Sequence, residues 1–173
     1  MAKPKSQQSR RGFSLLEMML ATTLSAALVT STVVVLRSSY AVWTLHQGDA
    51  EQAEQASAVL RHLTRACRQA DMVVSISASG DPAGSLEVLT KSGDTIGWEL
   101  DSDTVNYSSQ AAGTTSPLAF GIDTLTFEGL LADGSTTADD PSEVQAIRCS
   151  VGTTIPSSGA TRTIGSTLWM RSW

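Results

Sequence analysis

One acidic side chain, Glu17, lies inside a long apolar segment near the start of the chain. The sequence from Phe13 to Leu36 runs for 24 residues, and Glu17 is its only charged residue. Placing a carboxylate in an apolar medium costs about 2.5–3.5 kcal/mol on insertion scales, so a charge in such a place normally has a partner. The sequence therefore predicts that Glu17 pairs with a cationic group.

Few other residues have the types and spacing that chemistry requires. His46 and His62 each stand alone, without a second histidine or cysteine at metal-ligand spacing. The sequence has no phosphate-binding glycine loop and no nucleophile motif. The acidic loop 133–140 could hold calcium, but it lacks the regular ligand spacing of a calcium loop, so a solvated turn is favoured. We therefore expect no enzymatic activity, no cofactor and no small-molecule substrate.

The chain contains two cysteines, Cys67 and Cys149. A disulfide between them requires an oxidising compartment and a suitable Cα separation, which the sequence does not determine. Two small buried thiols are the other interpretation. Both alternatives stay open at the level of sequence.

Charge is distributed unevenly along the chain. The first 12 residues contain four basic residues and no acid: Lys3, Lys5, Arg10 and Arg11. The rest contains 8 basic and 17 acidic residues, a net charge of −9. Such a body would repel phosphate backbones, so we expect no nucleic-acid binding by the isolated domain. The basic flank predicts a cytoplasmic N-terminus, with the residues after Arg37 on the other side of a membrane.

The elements that position Glu17 are predicted to be helical. A helix from Phe13 to Leu36 would be about 36 Å long, enough to cross a bilayer. Beyond Arg37, apolar residues recur at spacings of 3 and 4, which indicates an amphipathic helix continuing to Ala70. These residues are Ala53, Ala56, Leu60, Leu63, Cys67 and Ala70. Gly48 with Asp49 could mark a kink, and the arginines on the other face are interpreted as solvated.

After residue 71 the pattern changes to short β-branched and aromatic runs separated by turn residues, typical of an antiparallel sheet. The predicted strands are Met72–Ser77, Ser85–Thr90, Thr95–Leu100, Leu118–Phe127, Val144–Val151 and Thr161–Trp169. The sequence from Lys91 to Asp94 predicts a hairpin turn. Trp169 is expected in the core, and no preference is assigned to Trp173. The fold class is thus α+β, with a long N-terminal helix packed on an antiparallel β-sheet.

The sequence Gly12-Phe13-Ser14-Leu15-Leu16-Glu17, placed between the basic leader and the apolar helix, resembles the processing site of type IV prepilins and type II secretion pseudopilins. The resemblance implies cleavage of the Gly12–Phe13 bond by prepilin peptidase and N-methylation of Phe13. It also implies that Glu17 pairs with the new α-amino group of a neighbouring subunit. Two such charges attract strongly in a low-dielectric medium.

A second resemblance concerns the β region. The segments 95–101, 118–127 and 144–151 are similar to minor pseudopilins of the J type, and W-type minor pilins share much of that layout. The sequence lacks the helix-kinking proline and paired C-terminal cysteines of many major pilins, which favours a minor subunit. The resemblance implies a pilin-like fold and a single-pass protein of the bacterial inner membrane with a periplasmic domain. Its partners would be prepilin peptidase, other minor and major pseudopilins or pilins, and membrane lipid.

The resulting domain prediction has four parts: leader 1–12, transmembrane and assembly half 13–36, amphipathic half 37–70, and β region 71–173. Secretion is the favoured role, and a minor pilin of an adhesive, motile or DNA-uptake pilus is the alternative. Two export signals compete with the prepilin interpretation. Ser25-Ala26-Ala27 could serve as a secretory cleavage site, and the pair Arg10-Arg11 approaches a twin-arginine motif. Either would give an exported, possible ligand-binding domain.

Overall fold

The computed structural model describes residues 12–170, and within this range it contains one α-helix and eight strands. The helix is α1 (Leu15–Cys67), and a 3₁₀ turn covers Pro141–Glu143. The strands are β1 (Ala70–Ile76), β2 (Ser85–Thr90), β3 (Thr95–Asp101), β4 (Thr104–Ser109), β5 (Thr114–Phe120), β6 (Thr124–Leu130), β7 (Ala146–Thr154) and β8 (Thr161–Trp169). This arrangement of a long N-terminal apolar helix and antiparallel sheets confirms the α+β class.

The chain forms two structural units, one ending at Thr44 and the other beginning at Leu45. In the first unit, every described residue is exposed. In the second unit, the end of α1 contributes Ala56, Val59, Leu63 and Cys67 to the core. Leu60, by contrast, is only half-buried. The predicted apolar stripe is therefore confirmed in outline, with Val59 as an additional member.

Two details of α1 differ from the sequence prediction. The helix ends at Cys67, because Gln69 donates its N–H to the Ala66 carbonyl in a tighter turn and Ala70 already starts β1. Gly48 and Asp49 lie within the uninterrupted helix. The Asp49 carboxylate accepts hydrogen bonds from the backbone N–H and hydroxyl of Ser157, at 3.0 and 2.6 Å.

The strands form two antiparallel sheets rather than one. The first has the order β1-β2-β3-β4-β5 and the second β6-β7-β8, so within each sheet the strands pair in sequence order. The predicted hairpin is confirmed: Leu86 lies opposite Trp98, Val88 opposite Ile96, and Gly93 adopts a φ of 84° in the turn.

The strand predicted from Leu118 to Phe127 is wrong, because the chain breaks there into β5 and β6. Gly121, with a φ of 69°, reverses the backbone between them in a conformation that favours glycine. Strand β4 was not predicted, since its sequence is mostly polar. The predicted core position of Trp169 is also wrong: this side chain is 53% exposed.

The core of the second unit lies between the end of α1 and the inner faces of the sheets. Its largest fully buried side chains are Trp98, Phe127, Leu63, Leu86, Ile122 and Leu125. Both sheets contribute to this list, so one core joins them. Burying such side chains contributes about 1.5–3 kcal/mol each.

Candidate functional site

The residues of the expected processing site lie at the start of the described chain. Gly12, Phe13 and Ser14 precede α1 and are exposed, Phe13 with 79% of its surface open. No atom lies within 4 Å of the position where a Gly12 side chain would begin. The Gly12–Phe13 bond is thus in non-helical, accessible chain.

Ser14 caps the first turn of α1. Its hydroxyl accepts a hydrogen bond from the backbone N–H of Glu17 at 3.2 Å, and its carbonyl accepts from Met18 at 3.2 Å. Ser14 and Glu17 therefore have the spacing of a capping box. The sequence reasoning missed this role, although Ser-x-x-Glu before an apolar run is its recognised signature.

Glu17 lies in the first helical turn, where a negative charge is stabilised by about 0.3–1 kcal/mol through the helix dipole. This helps the helix to start but does not neutralise the carboxylate. Within residues 12–170 the Glu17 side chain forms no ion pair, since the salt bridge found there joins Arg148 to Glu128. In this described part of the chain the carboxylate is exposed.

Most hydroxyl side chains of the apolar segment form hydrogen bonds with the backbone of the helix. Seven hydroxyls between residues 22 and 44 each donate to a backbone carbonyl three or four residues earlier, at 2.8 to 2.9 Å. The residues concerned are Thr22, Thr23, Thr30, Ser31, Thr32, Ser38 and Thr44. This part of the helix therefore presents methyl groups and aliphatic chains to its surroundings, as an apolar medium requires.

In the described part of the chain, α1 is the one helix long and apolar enough to span a membrane. Its most apolar window has a mean hydropathy of 1.9, and none of that window is buried by the protein. Large exposed residues such as Leu20, Leu28 and Leu36 each keep about 60–69% of their surface open. A surface of this size needs lipid or other apolar helices to cover it.

Two carboxylates of the acidic loop 133–140, those of Asp133 and Asp140, accept hydrogen bonds from neighbouring residues. Asp133 accepts hydrogen bonds from the backbone and hydroxyl groups of Ser135 and Thr136, which lower its pKa well below the usual range. Asp140 caps the 3₁₀ turn through Ser142, which also lowers its pKa. Among residues 12–170 no group of three or more His, Cys, Asp or Glu could hold a metal. The geometry is that of two capped turns.

Cys67 and Cys149 are free and completely buried in the same core cluster. The pKa of each thiol is raised to about 12, mainly by burial, and for Cys149 the neighbouring Cys67 also contributes to this rise. The structure thus brings the two cysteines near each other as unreactive thiols.

Sequence reasoning also missed a polar contact inside the core. The indole Nε1–H of Trp98 donates to His62 Nδ1 at 3.1 Å, and the Tyr107 ring packs edge-on against His62 with centroids 4.8 Å apart. Because Nδ1 accepts, His62 is neutral, with its proton on Nε2. Burial, followed by the charge of Arg65, lowers the His62 pKa. This cluster links α1 to β3 and β4.

Comparison with protein-family models, curated proteins and solved structures gives no match for this chain. The function must therefore be argued from its own residues.

Proposed function

We propose that the protein is a membrane-anchored minor subunit of a type IV pilin-like filament, of pseudopilin type and serving protein secretion. The observation that carries the proposal is the state of Glu17: a single exposed carboxylate on the first turn of an uncovered apolar helix, without a partner in residues 12–170. The helix would insert in the inner membrane, and the second unit would lie on its outer side.

The geometry at the start of α1 supports processing between Gly12 and Phe13. A peptidase needs its target bond in extended chain, and Ser14 starts the helix just after this bond. Cleavage would place a cationic α-amino group four residues before Glu17. In a filament, the amine of one subunit would meet the Glu17 carboxylate of another, which offsets the cost of burying both charges.

The rest of the exposed helix supports packing among other helices. Most of its hydroxyls are bonded to the helix backbone, which favours close contact with lipid or with a neighbouring subunit. A filament core of such helices would cover the apolar surface that the single chain leaves open.

The first test is the mass of the mature protein purified from its native membrane. We expect a chain that begins at Phe13 and carries one added methyl group. A Gly12→Val variant should keep residues 1–12, whereas a Gly48→Ala variant, changed at a helix position with space for a methyl group, should be processed normally. A mature chain that starts near Leu28 would instead indicate a secretory signal and overturn the proposal.

The second test separates processing from assembly. A Glu17→Gln variant should be cleaved and inserted normally, but its capture with the other filament subunits should fall at least about tenfold, because the amine loses its counter-charge. Glu54→Gln is the matched control, since Glu54 is an exposed acid on the same helix. Equal capture of Glu17→Gln and wild type would refute the assembly role.

A further inference from the structure

The second unit carries a groove whose chemistry is separate from the N-terminal helix. One wall is the end of α1 with the turn that follows it, residues 57–69, and the other is β8. The groove has a volume of about 560 Å³, and an adjoining depression continues along β8 to Trp169. We call this surface the α1–β8 groove; its main lining residues are Leu60, Arg61, Thr64, Arg65, Arg68 and Ser166.

The groove concentrates positive charge in an acidic domain. Arg61 and Arg65 lie four residues apart on one face of α1, Arg68 follows in the turn after the helix, and all three are exposed. Within residues 12–170 no carboxylate lies within salt-bridge distance of these guanidiniums, because the ion pair found there is elsewhere. The remainder of the domain would repel an acidic ligand, so this groove is the place where one would be attracted.

The opposite wall is an open sheet edge. Strand β8 is the last strand of its sheet and pairs with β7 without a register shift over nine residues. Its outer row of backbone N–H and C=O groups therefore has no strand partner in the described structure. The strand contains no proline and no bulge, and Arg162 is its one charged residue, so it has little of what usually protects an edge from pairing.

An aromatic side chain closes one end of the groove. Trp169 is 53% exposed, and its ring rests against Gly134, where a Cβ would lie only 3.0 Å away. The ring is thus held in place while half of its surface stays open. Exposed Trp and Arg side chains next to each other are typical of residues that dominate the binding energy of interfaces.

We propose that the α1–β8 groove binds an acidic segment of a partner protein in extended conformation. The segment adds to the outer edge of β8 as a further strand and directs carboxylates toward the three arginines. Alternate residues of a strand are about 6.6–6.8 Å apart, close to the roughly 6 Å rise between helix positions four apart, such as Arg61 and Arg65. The matching partner sequence therefore has Asp or Glu at every second position. The proposal rests on the second unit alone and does not depend on the proposed function.

The test uses the full chain in detergent micelles and a labelled ten-residue peptide of alternating Glu and Thr. Fluorescence anisotropy should detect binding of this peptide, and a matched peptide with Gln in place of Glu should not bind. A double variant, Arg65→Gln with Arg68→Gln, should weaken binding by roughly 2–30-fold, the effect of losing two exposed charge pairs. The control double variant, Arg37→Gln with Lys91→Gln, has the same net charge, lies outside β8 and the groove lining, and should bind like wild type.

A second readout tests the strand geometry. Peptide binding should slow hydrogen exchange of the β8 amides, while β5, the edge of the other sheet, should be unchanged. Equal binding of both peptides, insensitivity to the two arginines, or unchanged β8 exchange would each overturn the proposal. Binding of anionic vesicles that is lost in the arginine variant, without peptide binding, would assign the groove to lipid headgroups and also overturn it.

Discussion

The buried thiols allow a quantitative prediction of chemical reactivity. Cys67 and Cys149 are both 0% exposed, and their pKa values are raised to about 12 from an ordinary value of 9.0. Thiolate is the reactive species, so at pH 8 its fraction falls from about 0.1 to about 10⁻⁴. Alkylation in the folded state should therefore be at least about 1000-fold slower than for a free thiol.

The assay is maleimide labelling of the detergent-solubilised protein without reductant, followed by mass spectrometry. We expect no added label in native buffer over the time in which a small thiol reacts completely, and two labels in strong denaturant. Single Cys67→Ala and Cys149→Ala variants, each giving one label when unfolded, assign the sites. Because the thiols are reached only by opening the core, the native labelling rate should rise with denaturant in parallel with unfolding.

Two results would refute this reasoning. Rapid native labelling of either cysteine would show that solvent reaches the core where α1 packs against β7. Absence of label in denaturant, with two labels appearing only after reduction, would show a disulfide between them and contradict the free thiols of the structure.

Two further predictions concern the same core. The folded-state pKa of His62 lies below its unfolded value of 6.5. The contribution of His62 to stability is therefore complete above pH 6.5 and is lost as the pH falls toward the folded-state pKa. Denaturation followed by near-UV circular dichroism should show this loss in wild type, and a His62→Phe variant should not show it. A flat wild-type profile between pH 7 and 5 would contradict a neutral, hydrogen-bonded His62. Leu63→Ala, at a completely buried position, should lower the free energy of unfolding by about 3–5 kcal/mol, whereas the half-buried Leu60→Ala should cost about half as much or less. Equal losses at the two positions would show that the core does not centre on Leu63.

The sequence predicted those elements whose signal is local. The limits of β2 and β8 agree with the prediction, because turn residues flank both strands and their apolar positions alternate. The end of α1 was placed three residues too late, since Ala70 fits the helical spacing as well as it fits the strand that it begins. The spacing of apolar residues alone does not distinguish the end of the helix from the start of the strand at Ala70.

The missed features depend on contacts between distant residues. The break at Gly121 reflects close packing against Gln52, far away in sequence. Arg61, Arg65 and Arg68 have the spacing of an ordinary solvated helix face, and only the approach of β8 turns that face into a groove. The sequence favours a core position for Trp169, but its place in an edge strand leaves this side chain 53% exposed.

The hydrogen bonds between Asp49 and Ser157 join residues 108 positions apart, so α1 receives this partner only near the end of synthesis. The apolar stripe of α1 leaves the ribosome long before β7 and β8, the strands that supply Cys149 and the Ser157 loop against it. Domains fold largely as units when their last elements appear, and such distant pairings form slowly. The second unit therefore cannot complete its core until nearly the whole chain has been synthesised, and its part of α1 stays uncovered until then. A membrane-inserted N-terminal half would hold the waiting helix at the bilayer surface, away from other unfinished chains.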